Sequence, residues 1–468
     1  MIAALALLGL ALVLALSMLL VYRLRLRPAR GIAFFHPFLA AGGGGERVLW
    51  TAVHQSLTDS THTVYIYAES EHAGNLSRTL ETVGLQFNIT FSKQLHDRIK
   101  LVPVRWHALL TPRLYPRFTM LGQAFGSILV ALECLWNHKP KVYIGTLFVL
   151  PLIRADTLGH AFTYPVARLV FAVPRIAAYV HYPTISSDML ARVQSRHAAF
   201  NNAAGIATSA HLSLLKSVYY RVFAWFYARA GRACDAVMVN SSWTHAHISQ
   251  IWGTHAATVV VVYPPCDVSA LCGADLEGRD ELLIVSVAQF RPEKRHDLQV
   301  RALAASRDTR VRLVCVGGVR NTGDAALADD VLRLADQLGV ADRVTVLRNA
   351  THAQLLHLLH RAGMGLHTMT QEHFGIGVVE LMAAGCIPIA HNSGGPKLDI
   401  VVPWHGTDTG FLATTAEEFA AAIDRVCALS SAQRTRMRVA ARESAVHRFG
   451  ALGFEAGWRE CMSDLLEI

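Results

Sequence analysis

Apolar runs of strand length recur along the chain, each followed by a loop and then by a helical pattern. The first run is Gly31–Phe38. A glycine loop follows it, and Glu46–Val53 then shows helical spacing. This strand–loop–helix order predicts the first unit of a doubly wound α/β domain. Further strands of the same array are predicted in His62–Ser70, KVYIGT, RIAAYVHYPT, DAVMV and ATVVVV.

The pattern restarts after a change of composition. Pro, Cys, Gly and acidic residues predominate between Pro264 and Glu281, which predicts a linker between two domains. Strands are then predicted in ELLIVSVAQF, RVRLVCVGG, RVTVLRN, AGMGLHTM and CIPIAHN, and a helix over Asp324–Gly339. The predicted divisions are an N-terminal Rossmann-like domain over 23–263, a linker over 264–280, a C-terminal Rossmann-like domain over 281–440 and a C-terminal helix over 441–468.

The N-terminus carries an uncharged, Leu/Ala-rich run, Ile2–Tyr22, which is long enough to cross a bilayer. Positive charge follows it, and by the positive-inside rule the body of the protein is expected in the cytosol. We therefore predict a retained transmembrane anchor over 1–22, with a cleaved signal peptide as the alternative. The basic residues concerned are Arg23, Arg25, Arg27 and Arg30.

Two later stretches, Arg105–Trp136 and His211–Arg232, are rich in basic and aromatic residues. Such helices can lie on a membrane with Arg and Lys among the lipid headgroups. They can equally be ordinary core helices with one basic side, and the sequence leaves both interpretations open.

Net charge and cysteine usage narrow the class of protein. The 468 residues carry a formal charge of +9, which suits anionic lipids, phosphorylated small molecules or nucleic acid. No single basic stripe marks a nucleic-acid docking face, so no nucleic-acid partner is expected. The eight cysteines are scattered without zinc spacing, which favours reduced, buried thiols and a cytosolic location.

The glycine loop Gly42–Gly45 lies between a predicted strand and a predicted helix. Its backbone N–H groups and the helix start suit a phosphate or an oxyanion, although a turn without a ligand has the same sequence. GGGGERV is not the GxGxxG pattern of dinucleotide enzymes. Glu69, at the end of the second strand, keeps a nicotinamide-dependent enzyme open as an alternative.

Arg291 and Lys294 directly follow the first strand of the second array. Ligands bind at the carboxyl ends of strands in open α/β sheets. Two cations at this turn suit the negative charge that develops on a departing diphosphate.

Glu372 and Glu380 have seven residues between them, with Gly375, Ile376 and Gly377 in this interval. A helix is predicted over Val378–Ala384, so Glu372 lies in the loop before it and Glu380 within its first turn. The free N–H groups at this helix start can bind a diphosphate. Glu380 can then hold a ribose diol and Glu372 a sugar hydroxyl.

The blocks EHFGIGVVELMAAG and NSGGP resemble the Glu-seven-Glu signature of glycosyltransferase family 4, retaining enzymes of the GT-B fold. The resemblance implies an α/β protein with two Rossmann-like doubly wound domains facing across a cleft, here with one N-terminal transmembrane helix. Longer blocks resemble the α-1,2-mannosyltransferases of that family: FFHPFLAAGGGGERVLW, VHYPTISSDML, FNNAA, VMVNSSWT, VYPPCDV and QFRPEK.

This resemblance implies GDP-mannose as donor and Man(3)GlcNAc(2)-diphosphodolichol as acceptor. It implies two successive α-1,2-mannose additions, the fourth and fifth, for protein N-glycosylation on the cytosolic face of the endoplasmic reticulum membrane. Other mannosyltransferases of the pathway are possible partners. No metal or other cofactor is expected, because Arg and Lys supply the positive charge.

The resemblance also assigns roles to matched positions. Lys294 would bind the donor diphosphate, Glu372 the mannose and Glu380 the ribose of GDP. The loop Gly43, Gly44 and Gly45 would approach the donor phosphates, and His181 in VHYP would lie near the transferred sugar.

The sequence departs from the family pattern in two places. Gln289 stands where an arginine is common, and Arg291 is expected to replace it. The stretch GTLFVLPLIRADTLGHAFTYP resembles a block of the family but has extra apolar residues before it, around 144–156. A catalytically silent scaffold of the same fold is an alternative, against which the intact Lys294, Glu372 and Glu380 argue.

Overall fold

The computed structural model describes residues 16–39, 43–70, 74–147, 160–186, 189, 210–253 and 259–466. These residues form two compact units. The first unit contains the described parts of Met1–Asn240, Thr244–Val262 and Glu455–Ile468, and the second contains Ser241–Trp243 and Tyr263–Phe454.

The first unit is built on a seven-stranded sheet in which every described pair of neighbours is parallel. The strand order is β3-β2-β1-β4-β5-β6-β7, and β1 is buried along its whole length. A strand buried on both faces reads as a continuous apolar run, as in IAFF. The strands are β1 (Ile32–Phe35), β2 (Val64–Glu69), β3 (Ile99–Val104), β4 (Val142–Leu147), β5 (Arg175–Val180), β6 (Ala236–Val239) and β7 (Val259–Val261).

Helices follow most of these strands, as the alternation of patterns predicted. The longest, α5 and α7, correspond to the two basic and aromatic stretches. The helices of this part of the chain are α1 (16–26), α2 (Gly44–Asp59), α3 (Leu76–Phe87), α4 (Lys93–His96), α5 (Thr119–Asn137), α6 (Thr163–Pro165), α7 (Ala210–Gly231) and α8 (Ser242–Trp252).

The second unit is built on a six-stranded parallel sheet of order β10-β9-β8-β11-β12-β13. Two of its interior strands, β11 and β12, are buried throughout. The strands are β8 (Asp280–Val287), β9 (Arg312–Gly317), β10 (Val344–Arg348), β11 (Ala362–His367), β12 (Ile387–His391) and β13 (Phe411–Ala413). The helices are α9 (His296–Ala305), α10 (Thr322–Gln337), α11 (His352–Arg361), α12 (Ile376–Ala384), α13 (Ala416–Ala428) and α14 (Ser431–Phe449).

Side-chain caps fix where several of these helices begin. The Asn321 side chain accepts from Asp324 N at 2.9 Å, so α10 begins at Thr322, two residues before the predicted start. Thr351 and Gln354 form a reciprocal cap before α11, and Ser430 and Gln433 do the same before α14.

The segment 264–280, predicted as a linker, lies in the second unit. Cys266, Val268 and Leu271 are buried in its apolar core, and Cys266 N donates to Phe449 O at 2.8 Å. Proline, glycine and acidic residues keep this segment irregular, yet a few apolar side chains hold it against the core.

The C-terminal part of the chain contains two helices, α14 and α15 (Ala451–Leu466), rather than one over 441–468. They are separated at Gly450, whose backbone is extended with φ −71° and ψ 170°. From Glu455 onward the chain belongs to the first unit, where Trp458 Nε1 donates to Ser56 Oγ at 3.1 Å.

Most of the predicted anchor, up to residue 15, lies outside the described residues. Its end is helical in α1, and Leu24 there is buried in the core of the first unit. Among the described helices, α5 is the one long and apolar enough to span a membrane, and half of its apolar window is buried. This is weak evidence for a membrane span, since a core helix has the same length and composition.

Candidate active site

The turn between β8 and α9 carries the two cations predicted to bind phosphate. Pro292–Lys294 forms a short 3-10 turn, and Arg295 adopts a left-handed backbone with φ 52° before α9 begins. Thr368 Oγ1 donates to the carbonyl oxygen of Lys294 at 2.8 Å, and Gln299 Nε2 donates to Thr368 Oγ1 at 2.9 Å. These bonds fix the backbone of Lys294 beside the carboxyl end of β11.

Lys294 and Glu372 form an ion pair at this end of the sheet. Lys294 Nζ lies 2.7 Å from Glu372 Oε2, and both side chains are largely buried. His367, the last residue of β11, places its Nε2 3.3 Å from the same carboxylate oxygen. Lys294 Nζ also lies 3.1 Å from Met369 Sδ. The fold therefore brings together a cation from the turn after β8 with an imidazole and a carboxylate from the end of β11 and the loop after it.

The electrostatics of Glu372 favour its charged form. Burial alone would raise the pKa of this carboxyl, but the charge of Lys294 and the hydrogen bond to His367 outweigh it. The pKa of Glu372 is thereby held well below its ordinary value. A carboxylate that stays ionised is an acceptor only, which suits a hydrogen bond from a sugar hydroxyl.

Arg291 lies close to this pair along the chain and is also largely buried, with 16% of its side chain exposed. Its Nη1 is 3.8 Å from Glu293 Oε1, whereas its Nε and Nη2 have no hydrogen-bond partner in the described structure. Burial and the nearby Arg320 both lower the pKa of Arg291. A buried guanidinium with unpaired donors is a suitable site for a phosphate.

The loop that carries Glu372 packs tightly against the two glycines of NSGGP. Gly395 N donates to Glu372 O at 2.8 Å. A Cβ on Gly394 would lie 2.2 Å from Glu372 O, and one on Gly395 would lie 2.3 Å from Phe374 O. Gly394 also has φ +63°, which an L side chain adopts only with strain. A side chain at either position would therefore clash with the backbone of the loop that carries Glu372.

Helix α12 begins two residues earlier than predicted, at Ile376 rather than Val378. Gly375 precedes it with φ +115°, a conformation open to glycine alone. The first N–H groups of the helix, at Ile376 and Gly377, have no carbonyl partner within it. Glu380, predicted in the first turn, lies one turn into the helix, with intermediate exposure.

The remaining predicted site residues belong to the first unit. Gly43 precedes α2 with an extended backbone, and its N–H donates to Glu46 Oε2 at 3.2 Å, while Gly44 and Gly45 open the helix. His181 directly follows β5. The residue is partly exposed, but its imidazole Nε2 is buried, and this loss of hydration lowers its pKa to about 3. Its carbonyl oxygen accepts from Asn240 Nδ2 at 2.9 Å. The imidazole is therefore neutral near pH 7.

Several residues around Glu372 were not predicted. His367 and Met369 flank the carboxyl end of β11. His391 ends β12 and contacts Ser393 Oγ at 2.8 Å, and Ser393 Oγ accepts from Gln371 N at 2.8 Å. The one signal available in sequence was that each histidine ends an apolar strand run, the position where ligands bind in such sheets.

Comparison with known proteins shows which class of enzyme the chain belongs to. Residues 29–252 match the family described as ALG11 mannosyltransferase N-terminus, and residues 274–444 match glycosyl transferases group 1. Sucrose-phosphate synthase from Thermosynechococcus elongatus superposes with a TM-score of 0.63 at 16% identity, covering 94% of this chain and 99% of that one. Anabaena Alr3699/HepE in complex with UDP gives 0.60 at 17% identity, over 93% and 100%. The chain is a GT-B glycosyltransferase.

Sequence relatives define the family more narrowly. Proteins named GDP-Man:Man(3)GlcNAc(2)-PP-Dol alpha-1,2-mannosyltransferase are 42% identical in Xenopus tropicalis, over 92% of this chain and 86% of the relative, and 42% identical in Homo sapiens, over 93% and 87%. The relative in Dictyostelium discoideum is 38% identical over 90% and 82%. The chain belongs to this family of α-1,2-mannosyltransferases.

Proposed function

We propose that this chain transfers α-1,2-linked mannose from GDP-mannose to Man(3)GlcNAc(2)-diphosphodolichol. The observation that carries the proposal is 42% identity, over nine-tenths of the chain, to relatives whose names state this donor, acceptor and linkage. The described site agrees with it, because Lys294 and Arg291 are cations suited to a diphosphate and Glu372 is an ionised acceptor suited to a sugar.

Each site residue of the second unit receives a role in this reaction. Lys294 and Arg291 bind the donor diphosphate, and the N–H groups of Gly375, Ile376 and Gly377 at the start of α12 add donors. Glu372 accepts from a mannose hydroxyl, and Glu380 accepts from the ribose diol of GDP.

Residues of the first unit complete the assignment. The N–H groups of Gly44 and Gly45 open α2, where the helix dipole favours negative charge. That of Gly43, which donates to Glu46 Oε2 in the described structure, would exchange this partner for phosphate. All three are assigned to the donor phosphates. His181, whose imidazole is neutral, is assigned to the transferred mannose through a hydrogen bond rather than through a charge.

The transfer keeps the anomeric configuration by front-face attack. The acceptor hydroxyl oxygen bonds to C1 of mannose as the bond from C1 to the diphosphate oxygen breaks, and the departing phosphate oxygen takes the hydroxyl proton. Lys294 and Arg291 stabilise the negative charge that accumulates on the leaving group. A mannosyl-enzyme trapped and detected by mass spectrometry would contradict this path.

The finer features of the proposal follow the family resemblance. Two mannoses are added in succession, as the fourth and fifth of the oligosaccharide. The protein is held at the endoplasmic reticulum membrane with its body in the cytosol, as the order of apolar run and arginines favours. The proposal also includes contact between this protein and other mannosyltransferases of the pathway. No metal takes part, because Lys294 and Arg291 supply the charge.

The test uses full-length protein in detergent with GDP-mannose, a Man(3)GlcNAc(2)-diphospholipid and EDTA. We expect a product heavier by two hexoses, both removed by α-1,2-mannosidase. Glu372→Ala should lower the rate by about 10²–10³-fold, as loss of a contact made to the reacting sugar does. Glu443→Ala, on an exposed position of α14, is the matched control and should keep full activity.

Other results separate the parts of this proposal. One added hexose would contradict successive addition, and loss of activity in EDTA that Mg²⁺ or Mn²⁺ restores would contradict metal independence. No transfer by a folded, GDP-binding protein would indicate a different acceptor or a scaffold without catalysis.

A further inference from the structure

The segment Ser241–Trp243, where α8 begins, contacts the loop that carries Glu372. It is part of VNSSWT, a motif to which the proposed reaction assigns no role. The segment belongs to the second unit, and its first and last residues are buried. It therefore lies in the same unit as Lys294 and Glu372.

Gln371, the residue before Glu372, has an unusual backbone conformation. Its φ is 57°, in the left-handed region that residues other than glycine adopt only where their surroundings hold them there. Two hydrogen bonds do so: Gln371 N donates to Ser393 Oγ at 2.8 Å, and Gln371 Oε1 accepts from Trp243 Nε1 at 2.8 Å. Because an indole N–H can only donate, the amide oxygen of Gln371 is the atom that faces Trp243.

His373, the residue after Glu372, is held by the same segment. Its carbonyl oxygen accepts from Ser241 Oγ, and its imidazole packs against the Trp243 ring with centroids 5.1 Å apart. Both chain neighbours of Glu372 are therefore fixed by contacts with residues 241–243. These contacts set the backbone from which the Glu372 side chain reaches Lys294.

The segment is itself fixed by Asp399, whose side chain is almost wholly buried. Asp399 Oδ2 accepts from Ser242 N at 3.0 Å, and Asp399 Oδ1 accepts from Ser242 Oγ at 2.6 Å and from Tyr263 OH at 2.9 Å. A carboxylate at the start of a helix satisfies a backbone N–H that has no carbonyl partner within the helix. The indole of Trp243 therefore donates from a backbone that is held in place.

We propose that Trp243 is a positioning residue for the transfer reaction and acts through Gln371 on Glu372. The hydrogen bond from Trp243 Nε1 keeps Gln371 in its left-handed conformation, and this conformation directs the Glu372 carboxylate toward a mannose hydroxyl. Such direction matters because a displacement of about 1 Å at a reacting group can cost about 100-fold in rate. The inference rests on the role proposed for Glu372.

The test compares three substitutions in the full-length protein. Trp243→Phe removes the indole donor but keeps a ring that can pack against His373, and Gln371→Met removes the acceptor with little change of size. Trp458→Phe is the matched control, because it removes a buried indole donor that bonds Ser56 Oγ at 3.1 Å in the first unit. Circular dichroism checks that each variant is folded.

The first readout is calorimetric binding of GDP and of GDP-mannose, which needs no acceptor. We expect Trp243→Phe and Gln371→Met to weaken GDP-mannose binding by about fivefold, as loss of a well-directed hydrogen bond to a carboxylate does. GDP binding should stay nearly unchanged, because GDP lacks the sugar that Glu372 contacts. An equal loss for both ligands, or no loss for either, would overturn the proposal.

The second readout is kcat for mannose transfer to the Man(3)GlcNAc(2)-diphospholipid. Each single variant should lower kcat by about tenfold, and the double variant should lower it no further, since both changes break the same bond. The Trp458→Phe control should keep the wild-type kcat. Effects that multiply in the double variant would show that Trp243 does not act through Gln371 and would overturn the proposal.

The wild-type protein separates this inference from the proposed function. Wild type that binds GDP-mannose but transfers nothing would contradict the proposed acceptor, and the binding comparison would still decide the role of Trp243. Wild type that transfers mannose, with Trp243→Phe matching Trp458→Phe in both readouts, would overturn the inference alone. Wild type that binds neither ligand would overturn both.

Discussion

Glu372 illustrates at the scale of single residues how a buried charge is kept in the described site. Lys294 provides the opposite charge and His367 a hydrogen bond, and together they hold the pKa of the carboxyl well below its ordinary value. Removing Lys294 would leave the burial in place with His367 as the remaining compensation.

We therefore predict that Lys294→Met raises the pKa of Glu372. In the wild type, the depressed folded-state pKa stabilises the protein above the ordinary glutamate pKa of about 4.3, and this stability is lost in acid. In the variant, the folded-state pKa lies closer to the ordinary value, so the stabilisation present above about pH 4.3 shrinks.

The measurement is urea unfolding of both proteins between acidic and neutral pH. The loss of stability in the variant should grow with pH to about 1–3 kcal/mol near pH 7, where the ionised carboxylate has lost its cation. A constant or shrinking difference would contradict the pairing. Lys397→Met, which removes an exposed lysine of the same unit, should give no such pH dependence.

Gly394 provides a second prediction at this scale. Gly394→Ala should displace the Glu372 loop, because its Cβ would lie 2.2 Å from Glu372 O and its φ is +63°. We expect a loss of stability of about 2–4 kcal/mol, from strain and overpacking together, and weakened GDP binding by calorimetry.

The control is Gly406→Ala, where φ is +77° and nothing lies within 4 Å of the new Cβ. It should cost about 1 kcal/mol from backbone strain alone and leave GDP binding unchanged. Equal effects of the two variants would show that close contact with the Glu372 loop is unimportant.

At the scale of elements, a buried ion pair attaches α14 to the start of β8. The guanidinium of Arg438, almost wholly buried, donates to both carboxylate oxygens of Glu281, at 2.9 and 2.5 Å. Arg434, one turn earlier on α14, lies 3.3 Å from the same carboxylate. The pair fixes the helix against the sheet of the second unit.

We predict that Arg438→Met lowers the free energy of unfolding of the second unit by about 1–3 kcal/mol, since it removes the buried partner of Glu281 while Arg434 stays within 3.3 Å of that carboxylate. Thermal unfolding followed by calorimetry measures this. Arg333→Met, which breaks an exposed pair with Asp330 on α10, should change stability by less than about 0.5 kcal/mol. Similar effects of the two changes would contradict a role of burial.

At the scale of the whole molecule, Arg291 and Lys294, the cations proposed to bind the donor diphosphate, both lie in the second unit. A ligand that binds only the folded state stabilises it by about 2.7 kcal/mol at 100 times its dissociation constant. We predict that GDP at this excess slows hydrogen exchange in β8 and β11 but not in β2 and β3. Protection confined to the first unit would contradict this assignment.

The sequence predicted the alternation of strands and helices in both halves, because buried parallel strands appear as apolar runs whatever their partners. It also indicated Arg291 and Lys294, because they directly follow a predicted strand, where ligands bind in open α/β sheets, and Glu372, because it lies in a glycine-containing loop before a predicted helix. The predicted starts of α10 and α12 were both two residues late, since Asn321 and Gly375 end the preceding loop through cap geometry that periodicity does not record.

Tertiary structure alone decided which side chains meet. Lys294 follows β8, whereas His367 ends β11 and Glu372 lies in the loop after it. The pairing of β8 with β11 brings Lys294 Nζ and His367 Nε2 to 2.7 and 3.3 Å from the Glu372 carboxylate. The irregular segment 264–280 belongs to the core of the second unit because Cys266, Val268 and Leu271 pack against apolar residues that are distant in sequence. Local pattern determines the elements because it reflects one chain segment at a time, whereas the site depends on contacts that exist only once the sheet has formed.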